Sequence, residues 1–121
     1  MARILIADDD PMIIRLLEIK ISQRGYDVIT AEDGLQALDA ALDQLPDLVV
    51  LDGMMPGLDG IDVLRRLRKN PATENTPVIL LTARDQLEDV EEALASGASA
   101  YLVKPVNFQD LIATIDGYLS S

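Results

Sequence analysis

At 121 residues the chain has the length of one domain, and a hydrophobic content of 49% excludes a disordered segment. It contains no Cys and no His, which excludes disulfides, thiolate metal sites, a thiol nucleophile and an imidazole base. A net charge of −11, from 21 acidic and 10 basic residues, argues against direct binding of nucleic acid. Any chemistry must therefore come from carboxylates, hydroxyls and Lys.

The chain opens on Arg3-Ile4-Leu5-Ile6-Ala7, a short apolar run that reads as a first strand. Asp8-Asp9-Asp10 follows at once, so the run is too short for a signal peptide, and no later run approaches membrane-spanning length. The expectation is a soluble, cytoplasmic protein with no membrane contact. Asp10 suits a helix cap and Pro11 the first helical turn, and Met12 to Arg24 is predicted helical, with Ile13, Leu16, Leu17 and Ile21 inward and Gly25 closing it. Tyr26 to Thr30 is a second strand. Asp33-Gly34 starts a helix to about Gln44, carrying Leu35, Ala37, Leu38, Ala41, Leu42 and, just beyond, Leu45.

Leu48-Val49-Val50-Leu51 reads as a strand buried on both faces, ending in Asp52. Gly53, Pro56, Gly57 and Gly60 then turn the chain out of the sheet. Gly60 to Lys69 is predicted helical, with Ile61, Val63, Leu64 and Leu67 inward. Its basic cluster, Arg65, Arg66, Arg68 and Lys69, reads as a solvated helix face rather than a phosphate-binding patch. After a polar loop, Val78 to Leu81 forms a fourth strand ending in Thr82-Ala83. A helix over Asp85 to Ser96 stops at Gly97. Ala100 to Val103 is the fifth strand, Lys104-Pro105 follows, and Asn107 caps a last helix. With so few aromatics (Tyr26, Tyr101, Phe108 and Tyr118) the core must be built from Leu, Ile, Val and Ala.

Five strands, each read as a continuous apolar run, alternate with five helices and predict an α/β domain with a doubly wound parallel sheet covered on both faces and right-handed crossovers. In such a sheet the strand ends share one edge, where open α/β sheets place their ligands. Asp8, Asp9, Asp52, Thr82 and Lys104 all stand there, and none is mid-strand. Alone, Asp52 would read as a loop cap; with two more carboxylates beside it, each pair repels by about 3 kcal/mol at an effective dielectric near 20. A hard divalent cation relieves that conflict, and an all-oxygen ligand set points to Mg²⁺. Carboxylate, cation, hydroxyl and Lys together suit phosphoryl transfer, with Asp52 as nucleophile.

Along its whole length the sequence resembles the receiver domains of two-component response regulators, chemotaxis regulators among them. The resemblance rests on Asp8-Asp9, Asp52-Gly53-Met54-Met55-Pro56-Gly57-Leu58-Asp59-Gly60, Thr82-Ala83, Gly97-Ala98, Tyr101 and Lys104-Pro105. It implies one receiver domain over residues 1–121 with a flavodoxin-like five-stranded sheet in the order 2-1-3-4-5. It also implies a signalling phosphoacceptor rather than an enzyme, one that assists its own phosphorylation and dephosphorylation. Asp52 would take a phosphoryl group from a sensor histidine kinase or a histidine phosphotransfer protein. Asp9, Asp52 and the Met54 carbonyl would hold Mg²⁺, with Asp8 acting through water, while Thr82 and Lys104 bond the phosphoryl oxygens. Tyr101 would move with Thr82 and change the surface of helix 4, strand 5 and helix 5, which meets a downstream effector or output domain. The Lys104–Pro105 bond would be cis.

Gly53 stands where a larger residue often follows the acceptor, and Ala100 replaces an acidic or amide residue. Met54 and Arg84 occupy two variable positions that resemble rate-tuning sites for hydrolysis. None of these removes a reactive group. From Asp85 onward there are seven acidic residues (Asp85, Glu88, Asp89, Glu91, Glu92, Asp110 and Asp116) and only Lys104 as a base. The last helix offers no cation to answer acids on the fourth, so the expectation is a monomer or weak dimer with a basic partner.

Two other readings fit less well. Asp8-x-Asp10 resembles the first motif of haloacid-dehalogenase phosphatases, but those need further acidic ligands after the Lys, and Pro105-Val106-Asn107-Phe108 follows here. A flavin module on the same fold would need a Ser/Thr/Gly-rich loop after strand one, where Asp8-Asp9-Asp10 would repel a phosphate.

Overall fold

The computed structural model describes residues 2–83 and 87–120, the side chains of 87–89 excepted. Strands β1 (Arg3–Ala7), β2 (Asp27–Ala31), β3 (Leu48–Asp52), β4 (Val78–Thr82) and β5 (Ala100–Val103) alternate with α1 (Pro11–Ser22), α2 (Gly34–Gln44), α3 (Gly60–Lys69), α4 (Leu87–Ala95) and α5 (Phe108–Leu119). All strands pair in parallel, in the order β2-β1-β3-β4-β5. The expected start of the fourth helix at Asp85 lies outside the described residues.

Two cores lie on opposite faces of the sheet, because successive strand residues point to opposite sides. Leu5, Val49, Leu51, Val78 and Leu80 pack under α2, α3 and α4. Ile4, Ile6, Leu48, Val50, Ile79 and Leu81 pack under α1 and α5, with Leu17, Ile21, Leu111 and Ile115. Both faces of β1, β3 and β4 are thus covered, which is why their sequences read as continuous apolar runs. β2 departs from that expectation: it is an edge strand with Asp27 and Thr30 exposed.

The starts of α1, α2, α3 and α5 each have a side-chain acceptor, and Asp10 and Asn107 are the two the sequence singled out. Asp10 accepts from Met12 N at 2.9 Å and Asn107 from Asp110 N at 3.1 Å. Asp33 and Asp59 cap α2 and α3 in the same way.

Three details correct the sequence reading. First, α1 buries Ile14, Leu17 and Ile21, leaves Leu16 exposed, and ends at Ser22 rather than Arg24. Turn bonds from Arg24 N to Ile21 O and from Gly25 N to Ser22 O replace the last helical turn. Second, β2 begins at Asp27, whose N–H pairs with Ala2 O, while the Tyr26 hydroxyl leaves the ladder to donate to Asp116 on α5. Arg24 bonds the other oxygen of Asp116 at 2.6 Å and ties α5 to the end of α1; the Tyr26 hydroxyl, and after it Arg24, hold that carboxyl below its usual pKa.

Third, the basic cluster on α3 is not uniformly solvated. Arg68 is half-buried, and its guanidinium donates to Gly97 O at 3.0 Å, Thr76 O at 2.7 Å and Thr73 O at 3.3 Å. It holds together the end of α3, the α3–β4 loop and the turn after α4. Arg65 pairs with Glu92 at 3.5 Å and bonds Ser96 Oγ at 3.3 Å, while Arg66 stays exposed.

Candidate functional site

The carboxyl ends of the strands bring the predicted residues to one edge of the sheet. Asp52 is the last residue of β3 and its side chain is buried, 4% exposed. Asp8 follows β1; its N–H bonds Ala31 O, and its carboxylate is buried with Oδ1 accepting from Asp10 N at 2.9 Å. Asp9, the next residue, is exposed. One carboxylate oxygen from each of Asp8, Asp9 and Asp52 lies within 4.8 Å of the others.

Lys104 enters from the end of β5, where its N–H bonds Thr82 O at 2.8 Å and the Lys104–Pro105 peptide is cis. Its Nζ stands 3.2 Å from Asp8 Oδ2 and 3.3 Å from Asp52 Oδ1. Met54 N also donates to Asp52 Oδ1, at 3.2 Å. Thr82, the last residue of β4, is buried beside Gly53. Asp9, Met54, Met55, Pro56 and Asp59 line an open cleft of about 470 Å³ at this edge.

The electrostatics follow from that packing. Burial pushes the Asp52 carboxyl up to about 6, and the charge of Asp8 adds to this, against the opposing pull of Met54 N–H and Lys104. Burial also disfavours the Lys104 ammonium, but the two carboxylates outweigh it and raise its pKa. Among the described residues one ammonium stands against a cluster of three carboxylates, which leaves that cluster short of positive charge. An all-oxygen donor set in that condition fits a hard divalent cation.

Tyr101 sits within β5 opposite Leu80, half-buried against the core under α2, α3 and α4. Ala100 begins the same strand, and the Met54 side chain is exposed. Arg84 lies outside the described residues. One contributor went unread in the sequence beyond its turn: a Cβ on Gly60 would stand 2.4 Å from Asp52 O and 2.8 Å from Gly53 Cα. The start of α3 packs directly on the backbone of Asp52 and Gly53, and only Gly permits it.

Comparison with known proteins agrees with this geometry. The family model described as "Response regulator receiver domain" matches residues 4–116. Response regulator PleD of Caulobacter vibrioides is 46% identical over 114 residues, 94% of this chain and 25% of that protein. The DNA-binding dual master transcriptional regulator RpaA of Synechocystis is 42% identical over 119 residues, 98% of this chain and 49% of that protein. The chain thus spans a quarter to a half of these curated relatives. Among solved structures, a Francisella response regulator 1452 receiver domain superposes with a TM-score of 0.92 at 40% identity, covering 98% of this chain and 96% of that one. The Vibrio cholerae chemotaxis protein CheY4 gives a TM-score of 0.92 at 33% identity, covering 98% and 99%. Sequence, sheet order and strand-end chemistry converge on one conclusion: the chain belongs to the response regulator receiver family, the phosphoacceptor domains of two-component signalling.

Proposed function

We propose that Asp52 is the phosphoacceptor and that residues 1–121 act as one receiver domain. The observation that supports it most is the Lys104 ammonium, shared between buried Asp8 and buried Asp52, whose carboxylates cluster with that of exposed Asp9. An Asp52 oxygen attacks the phosphorus of a phosphohistidine on a sensor kinase or a phosphotransfer protein. The O–P bond forms as the P–N bond breaks, and the leaving imidazole keeps the bonding pair and takes a proton from solvent. Lys104, held protonated by its two carboxylates, transfers its pairing to a phosphoryl oxygen, and the Thr82 hydroxyl donates to another. Asp9, Asp52 and the Met54 carbonyl would hold Mg²⁺, with Asp8 acting through water, and the bound ion would supply positive charge for the equatorial oxygens. Movement of Thr82 toward the phosphoryl group opens space that Tyr101 follows, changing the surface of α4, β5 and α5 for an effector or output domain.

Incubation with a small acyl phosphate and Mg²⁺ is expected to add one phosphoryl group per chain, read by intact mass, and EDTA is expected to abolish it. Equal uptake in EDTA would contradict the metal assignment.

The surface of α4, β5 and α5 supports a monomer or weak dimer. Of its acids, Glu92 is engaged by Arg65 and Asp116 by Arg24, which leaves Glu91 and Asp110 exposed, and α5 carries no Lys or Arg. Asp85 lies outside the described residues, as do the side chains of Glu88 and Asp89. Sedimentation at low salt with a phosphoryl mimic is expected to show no tight symmetric dimer. A mimic-induced dimer lost in Glu91→Lys or Asp110→Lys would contradict this.

A further inference from the structure

The residue after the proposed acceptor has no side chain, and the space it leaves is occupied. Gly53 N donates to Leu81 O at 2.7 Å, which pins the backbone of residue 53 alongside the end of β4. A Cβ built on Gly53 would stand 3.0 Å from Thr82 Cβ and 3.2 Å from Thr82 Oγ1. Both distances are tighter than such contacts normally run, so any larger residue must displace the Thr82 side chain by a few tenths of an ångström or rotate it. Thr82 is 2% exposed, so its side chain has little open space to move into.

We infer that Gly53 is a positioning residue: by leaving out a side chain it sets where the Thr82 hydroxyl stands relative to Asp52, and so how tightly the site holds a phosphoryl group. This deepens the assignment of Asp52 and Thr82 made above and rests on it. The geometry of a hydrogen bond explains the sensitivity. A hydroxyl bonds an anionic oxygen well only near its short optimal distance, and a shift of tenths of an ångström combined with a rotation weakens it markedly. Gly53 does not use the left-handed backbone region, so Ala is compatible with its conformation, and Gly53→Ala is expected to fold with an unfolding midpoint near that of the wild type.

The test is the affinity for beryllium fluoride, a phosphoryl mimic, in the presence of Mg²⁺, measured alongside the affinity for Mg²⁺ alone. Gly53→Ala is expected to bind the mimic about five- to tenfold more weakly, a part of what one charge-assisted hydrogen bond contributes. Its Mg²⁺ affinity is expected to stay within about twofold, since Thr82 is not a metal ligand. In a Thr82→Ala background the same Gly53→Ala change is expected to leave mimic binding unaltered, because no hydroxyl remains to be displaced. Unchanged mimic affinity in Gly53→Ala, an equal loss in both backgrounds, or a parallel loss of Mg²⁺ affinity would overturn the role of Gly53 alone. A wild-type protein that binds no mimic would overturn the phosphoacceptor assignment as well.

Discussion

Arg68→Ala is expected to lower stability by about 2–3 kcal/mol, of order 10 °C in Tm, although the residue lies outside the candidate site. Its guanidinium makes bonds to three backbone carbonyls, Thr73 and Thr76 in the α3–β4 loop and Gly97 in the turn after α4. Truncation removes a charged donor from all three at once and strips the cover from the turn after α4. Arg66→Ala, two residues away on an exposed position, is the control and is expected to change stability by under about 0.5 kcal/mol. Urea unfolding of both variants reads the difference, and equal values for the two would show that the Arg68 bonds contribute nothing.

The second large effect is a gain. Asp52→Asn is expected to stabilise the metal-free protein at pH 7 to 8, by at most about 3 kcal/mol. The sign follows from linkage. The folded-state pKa of Asp52 is about 6, against about 3.9 for an unfolded chain. Between these values the folded protein binds the extra proton, so stability falls as pH rises from about 4 to 6 and the deficit is complete above that. Asn carries no charge, so the variant's profile in EDTA should be flatter over this range. Lys104 keeps Asp8 as a partner at 3.2 Å, which limits what the substitution removes. Asp9→Ala is expected to weaken Mg²⁺ binding but to give a smaller gain without metal, because Asp9 is exposed and water already screens it. Unfolding in EDTA at several pH values measures both variants. An Asp52→Asn protein less stable than wild type at pH 7 would contradict the account of the crowded carboxylates.

Much of the site could be read before the fold. β1, β3 and β4 are covered on both faces, so their sequences are unbroken apolar runs, and the first polar residue after each run marks an end on a shared edge. Asp8, Asp52, Thr82 and Lys104 were found this way. What spacing could not give was the difference between neighbours: Asp8 is buried against Lys104 while Asp9 faces solvent. The inward face of α1 was misread because Met12, Ile13, Ile14, Leu16, Leu17, Ile19 and Ile21 make the helix apolar nearly all round. Periodicity then selects no single stripe. Arg68 was lost among four bases in five residues, since only the carbonyls it meets distinguish it. The Tyr26–Asp116 bond joins residues ninety positions apart and leaves no local signature.

Asp52, and no other carboxylate at this edge, is expected to receive the phosphoryl group. Intact mass after incubation with an acyl phosphate and Mg²⁺ tests it directly on wild type and on Asp52→Asn. One added phosphoryl group on the wild type and none on the variant is the expected result. Equal labelling of the two would contradict it.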